Sequence, residues 1–189
     1  MPTHDSDIRP IVRDQYLSEY RRDEGSDIVG EFHLCRSRAR IDLAVLNGQF
    51  LGFEIKSGAD TLRRLPRQIE YFDKVFNELT LFVSERHLPA ALDEVPDHWG
   101  LVTFPESDPS ALELDREPSD NPNQKPKDVA SLLWKWELLD ELERRGIDWG
   151  VRSKTRKAMC QRLAENVPLP EVRNIVLRRL KSRENWRSD

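Results

Sequence analysis

Two neighbouring stretches alternate with a period of two. Ile41, Leu43 and Val45 are interleaved with Asp42, Ala44 and Leu46, and Leu51, Phe53 and Ile55 with Gly52, Glu54 and Lys56. Asn47-Gly48 lies between them, and this dipeptide flanked by such alternation predicts a β-hairpin. Ile11, Val12, Tyr16 and Tyr20 fall roughly on one helical face and predict a helix over Ile8–Arg22. Asp60–Phe76 predicts another, opened by a local Asp/Thr cap and interrupted or restarted at Pro66. Leu79–Ser84 and Gly100–Phe104 read as buried strands, and at least one more strand is expected just before Arg40.

The last third of the chain changes character. Val129, Leu132, Leu133, Trp136, Leu139 and Leu142 predict one helix ending near Gly146, with Trp136 in the core. A second helix is expected from Ser153, with Met159, Cys160, Leu163 and Ala164 apolar. A third follows Pro170, with Val172, Ile175, Val176 and Leu180 as its stripe. Five of the 12 prolines fall in residues 105–126, a composition that forbids a long helix or central strand and buries little. The expected organisation is a mixed α/β region over 1–104, a Pro-rich linker over 105–126 and an all-helical region over 127–189. No internal repeat is visible.

Composition narrows the class. No apolar run approaches the roughly 18 residues of a membrane-spanning helix. The start, MPTHDSDIRP, has neither a basic nor an apolar leader segment. Cys35 and Cys160 form no CxxC, which argues against a disulfide scaffold. A soluble, cytoplasmic protein is the expectation. His33 and Cys35 lack a second pair at ligand spacing, so zinc is not expected. No phosphate-binding loop, GxGxxG or GxSxG occurs. The net charge of −4 conceals an asymmetry: residues 84–123 carry −8 and residues 151–189 carry +7. Electrostatic footprints are local, so the basic tail is a candidate nucleic-acid surface despite the acidic average.

The hairpin register bears on chemistry. Opposed residues in an antiparallel pair have numbers of constant sum. A two-residue turn gives 95 and puts Asp42 and Glu54 on opposite faces; a bulged turn with Gly48 left-handed gives 94 and puts them on one face. Only an even sum also sets Ile41, Leu43 and Val45 beside Leu51, Phe53 and Ile55, so packing selects the same register. Asp42 then opposes Gly52, which leaves space for an ion, and Glu54, Lys56 and Arg40 lie nearby. Two close carboxylates favour a hard divalent cation, Mg²⁺ or Mn²⁺, between them. Lys56 can orient water or offset phosphate charge. A solvated sheet face with a Glu–Lys pair fits the same spacing.

Asp42 followed across a hairpin by Glu54-Ile55-Lys56, with a helix next, resembles the core of the PD-(D/E)XK nuclease superfamily. Gln68-Ile69-Glu70-Tyr71-Phe72 is similar to the Q-x-x-x-Y element of its RecB-like and phage-exonuclease-like branches, with Phe72 where Tyr is usual, so any role there is packing. Ile41 also replaces a Pro that many members share. The run GFEIKSGADTLRRLPRQIEYFDKVFNELTLFV, with RHLPAALDEVPDHWGLV after it, resembles a family of small bacterial and phage proteins of that superfamily over about residues 28–104, and more loosely the tail.

The resemblance implies a restriction-endonuclease-like mixed sheet flanked by helices. It implies that Asp42 and Glu54 bind the metal with the Ile55 carbonyl, that Lys56 is catalytic and that Gln68 faces the site. An acid from the first helical region would complete the ligands, Glu31 first and Glu19 or Glu24 after it. The implied reaction is Mg²⁺-dependent hydrolysis of a DNA phosphodiester, with water attacking phosphorus in line. Arg63, Arg64 and Arg67 are placed to hold flanking phosphates, or simply to keep their helix soluble.

In the tail, Arg152, Lys154, Arg156 and Lys157 coincide with an expected helix N-terminus, an arrangement that suits phosphate. ELLDELERRGIDWGVRSKTRKAMCQRLAEN resembles the helix–loop–helix DNA-binding module called SAP. Arg173, Arg178, Arg179, Lys181, Arg183 and Arg187 extend the positive surface. Trp134, Trp149 and Trp186 are expected to pack in the small domain, with stacking on bases as the alternative. Together these readings point to a metal-dependent DNA nuclease with a C-terminal DNA-binding module, DNA as partner, no membrane and a possible homodimer. Two alternatives stay open: a catalytically silent nuclease-fold subunit that binds DNA or assembles, and a small regulatory protein that binds another protein through the acidic 84–123 stretch.

Overall fold

The computed structural model describes residues 3–34 and 39–183; Cys35, Trp186 and Arg187 lie outside the described residues. The chain is mixed α/β, with a six-stranded sheet whose spatial order follows the chain order. The strands are β1 (Asp27–Leu34), β2 (Ala39–Leu46), β3 (Phe50–Lys56), β4 (Glu78–Ser84), β5 (Gly100–Phe104) and β6 (Glu113–Arg116). Pairing is antiparallel along β1–β2–β3, parallel along β3–β4–β5 and antiparallel again at β5–β6. The helices are α1 (Asp5–Ile11), α2 (Ser18–Arg22), α3 (Leu65–Phe72), α4 (Leu88–Glu94), α5 (Pro126–Ala130), α6 (Lys135–Arg144), α7 (Arg156–Asn166) and α8 (Leu169–Lys181).

Local departures from the expected elements have visible causes. The first helix is not continuous: a π-helical turn at Val12–Tyr16 separates α1 from α2, and Leu17 N–H reaches back to the Val12 carbonyl at 3.0 Å. Pro66 starts α3 after a short 3₁₀ turn, Leu62–Arg64, because a proline fits a first helical turn. The single helix expected over 129–146 is two, broken where Trp134 is extended and its N–H donates to Glu137 at 2.6 Å. Carbonyls exposed by that break are satisfied from outside. Arg156 donates to the carbonyls of Leu133, at 2.8 Å, and of Ser131. The next helix starts at Arg156, capped by Thr155, rather than at Ser153. Trp136 lies on the wet side of α6, 59% exposed, and is not core.

β3 is the middle of the molecule, with all seven residues buried. On one face Leu43, Val45, Leu51, Phe53 and Ile55 pack with Ile8, Val12 and Leu17. On the other, Ala44, Leu46 and Phe50 join Leu65, Phe72, Val75 and Phe76 in a cluster that continues into α5, α7 and α8 through Val129, Met159, Leu163, Val172 and Val176. A sheet covered on both faces reads as apolar on both, which is why the strands carry so few polar residues. The ends of β2 and β3 open onto a cavity.

The hairpin register has the expected parity but is shifted by two. Leu46 pairs with Phe50 and Leu43 with Phe53, a sum of 96, across a three-residue connection with Gly48 at φ 64. Gly52 therefore opposes Ala44, not Asp42. It leaves no room for an ion: a β-carbon there would come within 2.7 Å of both Ile41 Cδ1 and Leu79 Cδ2 and 2.9 Å of Phe76 Cγ. Ile41 also departs from expectation and joins the cluster opposite Leu43. The side-chain phase of β1 and β2 slips at Glu31, whose φ of 50 is the only positive value at a non-glycine among the described residues.

The Pro-rich segment packs more than its composition suggests. It supplies the edge strand β6, and Asn121 Nδ2 donates to the carbonyls of Asp73, at 2.7 Å, and Phe76, at 2.8 Å, while Gln124 Nε2 donates to Val75 at 2.5 Å. Asn121 and Gln124 are buried, so the expectation that this stretch buries little does not hold. A β-carbon at Gly52 overfills the interior, so Gly52→Ala should destabilise the chain by about 1–3 kcal/mol in urea denaturation.

Candidate active site

The ladder between β2 and β3 stops at Leu43 and Phe53. One residue further on, the two strands separate. There the Asp42 side chain takes over, its Oδ2 accepting the Ile55 N–H at 2.8 Å. The fork opens a cavity of about 550 Å³ lined by Asp42, Glu54, Ile55, Lys56, Gln68, Arg64 and Arg67, together with Asp5, His33, Ala39, Arg40, Asp60 and Tyr71. Strands β2 and β3 deliver the acids and the lysine; α3, held at the correct distance by Phe72 and Phe76 on the sheet, delivers Gln68 and the arginines.

Glu54 and Lys56 are 2% and 3% exposed, yet both border the cavity. Lys56 Nζ donates to Glu54 Oε1 at 2.5 Å, and Gln68 Nε2 donates to the same oxygen. Glu54 Oε2 is buried without a donor, as are Gln68 Oε1 and Asp5 Oδ1. Burial, with the Asp42 carboxylate second, pushes Glu54 up to about 7 against the pull of Lys56 and Gln68. Burial also raises Asp42, aided by Asp5 and opposed by the Ile55 N–H, Lys56 and Arg9.

Asp5 is the acid that sequence spacing missed. It arrives from the first turn of α1, and no periodicity links position 5 to position 42. Its companion is Arg9, which bonds Asp5 at 2.5 Å and lies 3.6 Å from Asp42 and 3.4 Å from Glu31. Glu31, expected as a metal ligand, is instead engaged by Arg9 and by Arg40 at 3.2 Å and does not line the cavity. Glu19 and Glu24 do not line it either. Arg63 faces a separate cleft with Pro66, Ala90 and Glu94, so only Arg64 and Arg67 stand at the rim, with the Arg67 guanidinium over the Tyr71 ring at 5.8 Å. Phe72 is buried and stacks on Trp99, a packing role. The Ile55 side chain lies in the apolar cluster below, which leaves its backbone to border the cavity.

The tail cations are placed differently. Arg156 is spent on the Ser131 and Leu133 carbonyls, and Arg152 is paired with Asp148 and, at 3.3 Å, with Glu143. Lys154 and Lys157 are exposed. Arg178, Arg179 and Arg183 bind the buried carboxylates of Glu141 and Glu137. Arg156, Arg179 and Arg183 thus face inward, while Arg152 and Arg178, though paired, stay exposed beside Lys154 and Lys157.

Among the described residues, no three His, Cys, Asp or Glu side chains are grouped tightly enough to form a ready metal centre. The donor set still suits a partly hydrated hard cation: carboxylate and amide oxygens only, with acceptor atoms of Glu54, Gln68 and Asp5 that no protein donor satisfies.

The family model described as Bacteriophage P4 protein cII matches residues 9–189, and the chain belongs to that family. The matched span includes Asp42, Glu54, Lys56, Gln68 and the whole helical tail. Protein cII of Enterobacteria phage P4 is 28% identical over 157 residues, covering 82% of this chain and 59% of its own length. The chain therefore spans about three fifths of the curated relative that it matches. A solved structure of a protein of unknown function from Silicibacter pomeroyi overlaps 97% of this chain and 98% of its own, with a TM-score of 0.46 and 18% identity. No helix among the described residues is long and apolar enough to cross a membrane.

Glu54 holds its proton more tightly in the fold than its ordinary value of 4.5. The native state then binds more protons than the unfolded chain, so this group makes stability fall as pH rises from 4.5 to about 7. In EDTA, Glu54→Gln should show a shallower decline of melting temperature across that window than the wild type, read by scanning calorimetry.

Proposed function

We propose that the protein is a divalent-metal-dependent DNA nuclease of the PD-(D/E)XK type, with Asp42, Glu54, Lys56 and Gln68 as its catalytic set. The observation that carries this reading is their convergence. Residues up to 26 positions apart, on two strands and a helix, line one cavity, and the acids meet where β2 parts from β3. A solvated sheet face would leave Glu54 and Lys56 exposed; they are among the most buried charged side chains of the molecule.

Asp42 and Glu54 would hold the cation, with the Ile55 backbone beside them and Asp5 across the cavity. The bound ion would supply Lewis-acid charge next to the scissile phosphate. Arg64 and Arg67 position the flanking phosphates at the rim. Lys56 supplies positive charge where the phosphorane forms, and Gln68 joins Lys56 in holding the Glu54 carboxylate in place. A dication held between Asp42 and Glu54 would favour ionised Glu54, offsetting the burial and the Asp42 charge that raise it.

A second reading has its own observation: Lys56 is tied to Glu54, and the acids do not form a ready three-ligand group. That arrangement also fits a catalytically silent nuclease-fold protein that binds nucleic acid. The third reading, a regulatory protein that docks through residues 84–123, draws less support, since that stretch is folded onto the sheet edge and α3.

Incubation of the full chain with supercoiled and linear DNA in Mg²⁺ or Mn²⁺ separates these. Asp42→Asn and Lys56→Ala should each lower cleavage by about 100-fold or more while retaining the wild-type circular dichroism. Cleavage that persists in both variants removes the site assignment. Binding without cleavage in the wild type establishes the silent reading.

A further inference from the structure

Three tryptophans of the helical region face solvent, and each lies against an arginine. Trp134 and Trp136 flank Lys135 at the start of α6 and are 49% and 59% exposed. Their ring centroids are 6.0 Å apart and their planes are inclined at 50°. The Arg183 guanidinium lies 4.2 Å from the Trp134 ring, and that of Arg179 lies 6.0 Å from the Trp136 ring. Trp149, 73% exposed, has the Arg162 guanidinium at 4.6 Å.

The two adjacent indoles are held from behind. Arg183 donates from Nε to Glu137 at 2.9 Å, from Nη2 to the same carboxylate at 2.5 Å and to the Leu132 carbonyl at 2.9 Å. Arg179 donates to Glu141 at 2.8 Å and to Asp140. One side of each ring is thus backed by a cation that is anchored to α6, and the remaining surface is left to water. Exposing two large rings in this way costs hydrophobic free energy, and the ring orientation is fixed before any ligand arrives.

We propose that Trp134 and Trp136 form a stacking platform for the unpaired bases of single-stranded DNA, a reading that rests on nucleic acid being the partner. Charge selects a polyanion over an apolar peptide. Residues 126–183 carry 14 Lys and Arg against 8 Asp and Glu, and the acids nearest the platform, Glu137, Asp140 and Glu141, are already neutralised by arginines. Lys135, between the rings, is exposed. Single strands are selected over duplex because base faces are hidden in a duplex, and an indole gains from stacking only on a base that is splayed out. The platform therefore assigns the helical region to strand capture, a task for which Arg156 at the start of α7, bound to the Leu133 and Ser131 carbonyls, is not available.

The test uses the full chain in EDTA, which prevents cleavage, with a fluorescein-labelled oligothymidylate of about 15 nucleotides and a duplex of equal length. The wild type should bind the single strand more tightly and show quenched tryptophan fluorescence. Trp134→Ala with Trp136→Ala should weaken single-strand binding by about 30-fold or more, with the slope of affinity against salt retained and duplex binding changed by less than about twofold. The Trp→Phe pair should recover most of the loss. Unchanged affinity in the Ala pair, equal losses on both DNAs, or a wild type that prefers duplex or ignores the single strand would overturn the platform. The Asp42→Asn cleavage assay judges the nuclease reading separately, so either can fail alone.

Discussion

A single hydrogen bond organises the candidate site: the Asp42 carboxylate accepting the Ile55 N–H. Where β2 leaves β3, backbone donors lose their ladder partners inside a crowded interior, and an unpaired buried N–H is costly. The Asp42 side chain satisfies the donor and so makes the fork possible. The fork in turn opens a cavity onto the end of β3. Without it, Glu54 and Lys56 would lie sealed beneath α3 as an unneeded buried ion pair. With it, they border a polar cavity whose far wall is α1.

Burial and like charge act together in that cavity. Burial first, and then the Asp5 charge beside Asp42 and the Asp42 charge beside Glu54, make both Asp42 and Glu54 hold protons above their ordinary range. Arg9 and Lys56 offset part of this, each from a different side. The arrangement is therefore one of incomplete compensation, with acceptor oxygens still unsatisfied. A fold gains nothing in stability from such a pocket, since removing buried charge in favour of packed apolar atoms is often neutral or stabilising.

The helical region spends its charge in the opposite manner. Glu137 and Glu141 are buried beneath α8 and draw Arg145, Arg178, Arg179 and Arg183 onto themselves. Those arginines tie the helices together, and two of them, Arg179 and Arg183, lie against the Trp136 and Trp134 rings. A net charge of +7 over residues 151–189 thus overstates what a phosphate backbone meets. Which surface remains is decided by the pairing, and it leaves exposed aromatics beside exposed lysines.

The mixed α/β class, the hairpin and the strands at Leu79–Ser84 and Gly100–Phe104 were legible in the chain, because side-chain alternation along a strand is a local property. The convergence of Gln68 with Glu54 followed from a resemblance, and the helix after the hairpin places it there. What the chain could not show were contacts set by distance in space: Asp5 and Arg9 reaching Asp42 from α1, Gly52 yielding to Phe76 rather than to an ion, and Glu31 turned aside by two arginines. The two-residue shift in register preserved parity, so the alternation alone had no power to detect it. The chain alone specified the elements and most of their buried faces, since these follow backbone periodicity; tertiary packing decided where that alternation breaks, as at Ile41, which residues meet and which charges stay free, since these depend on everything stacked above them.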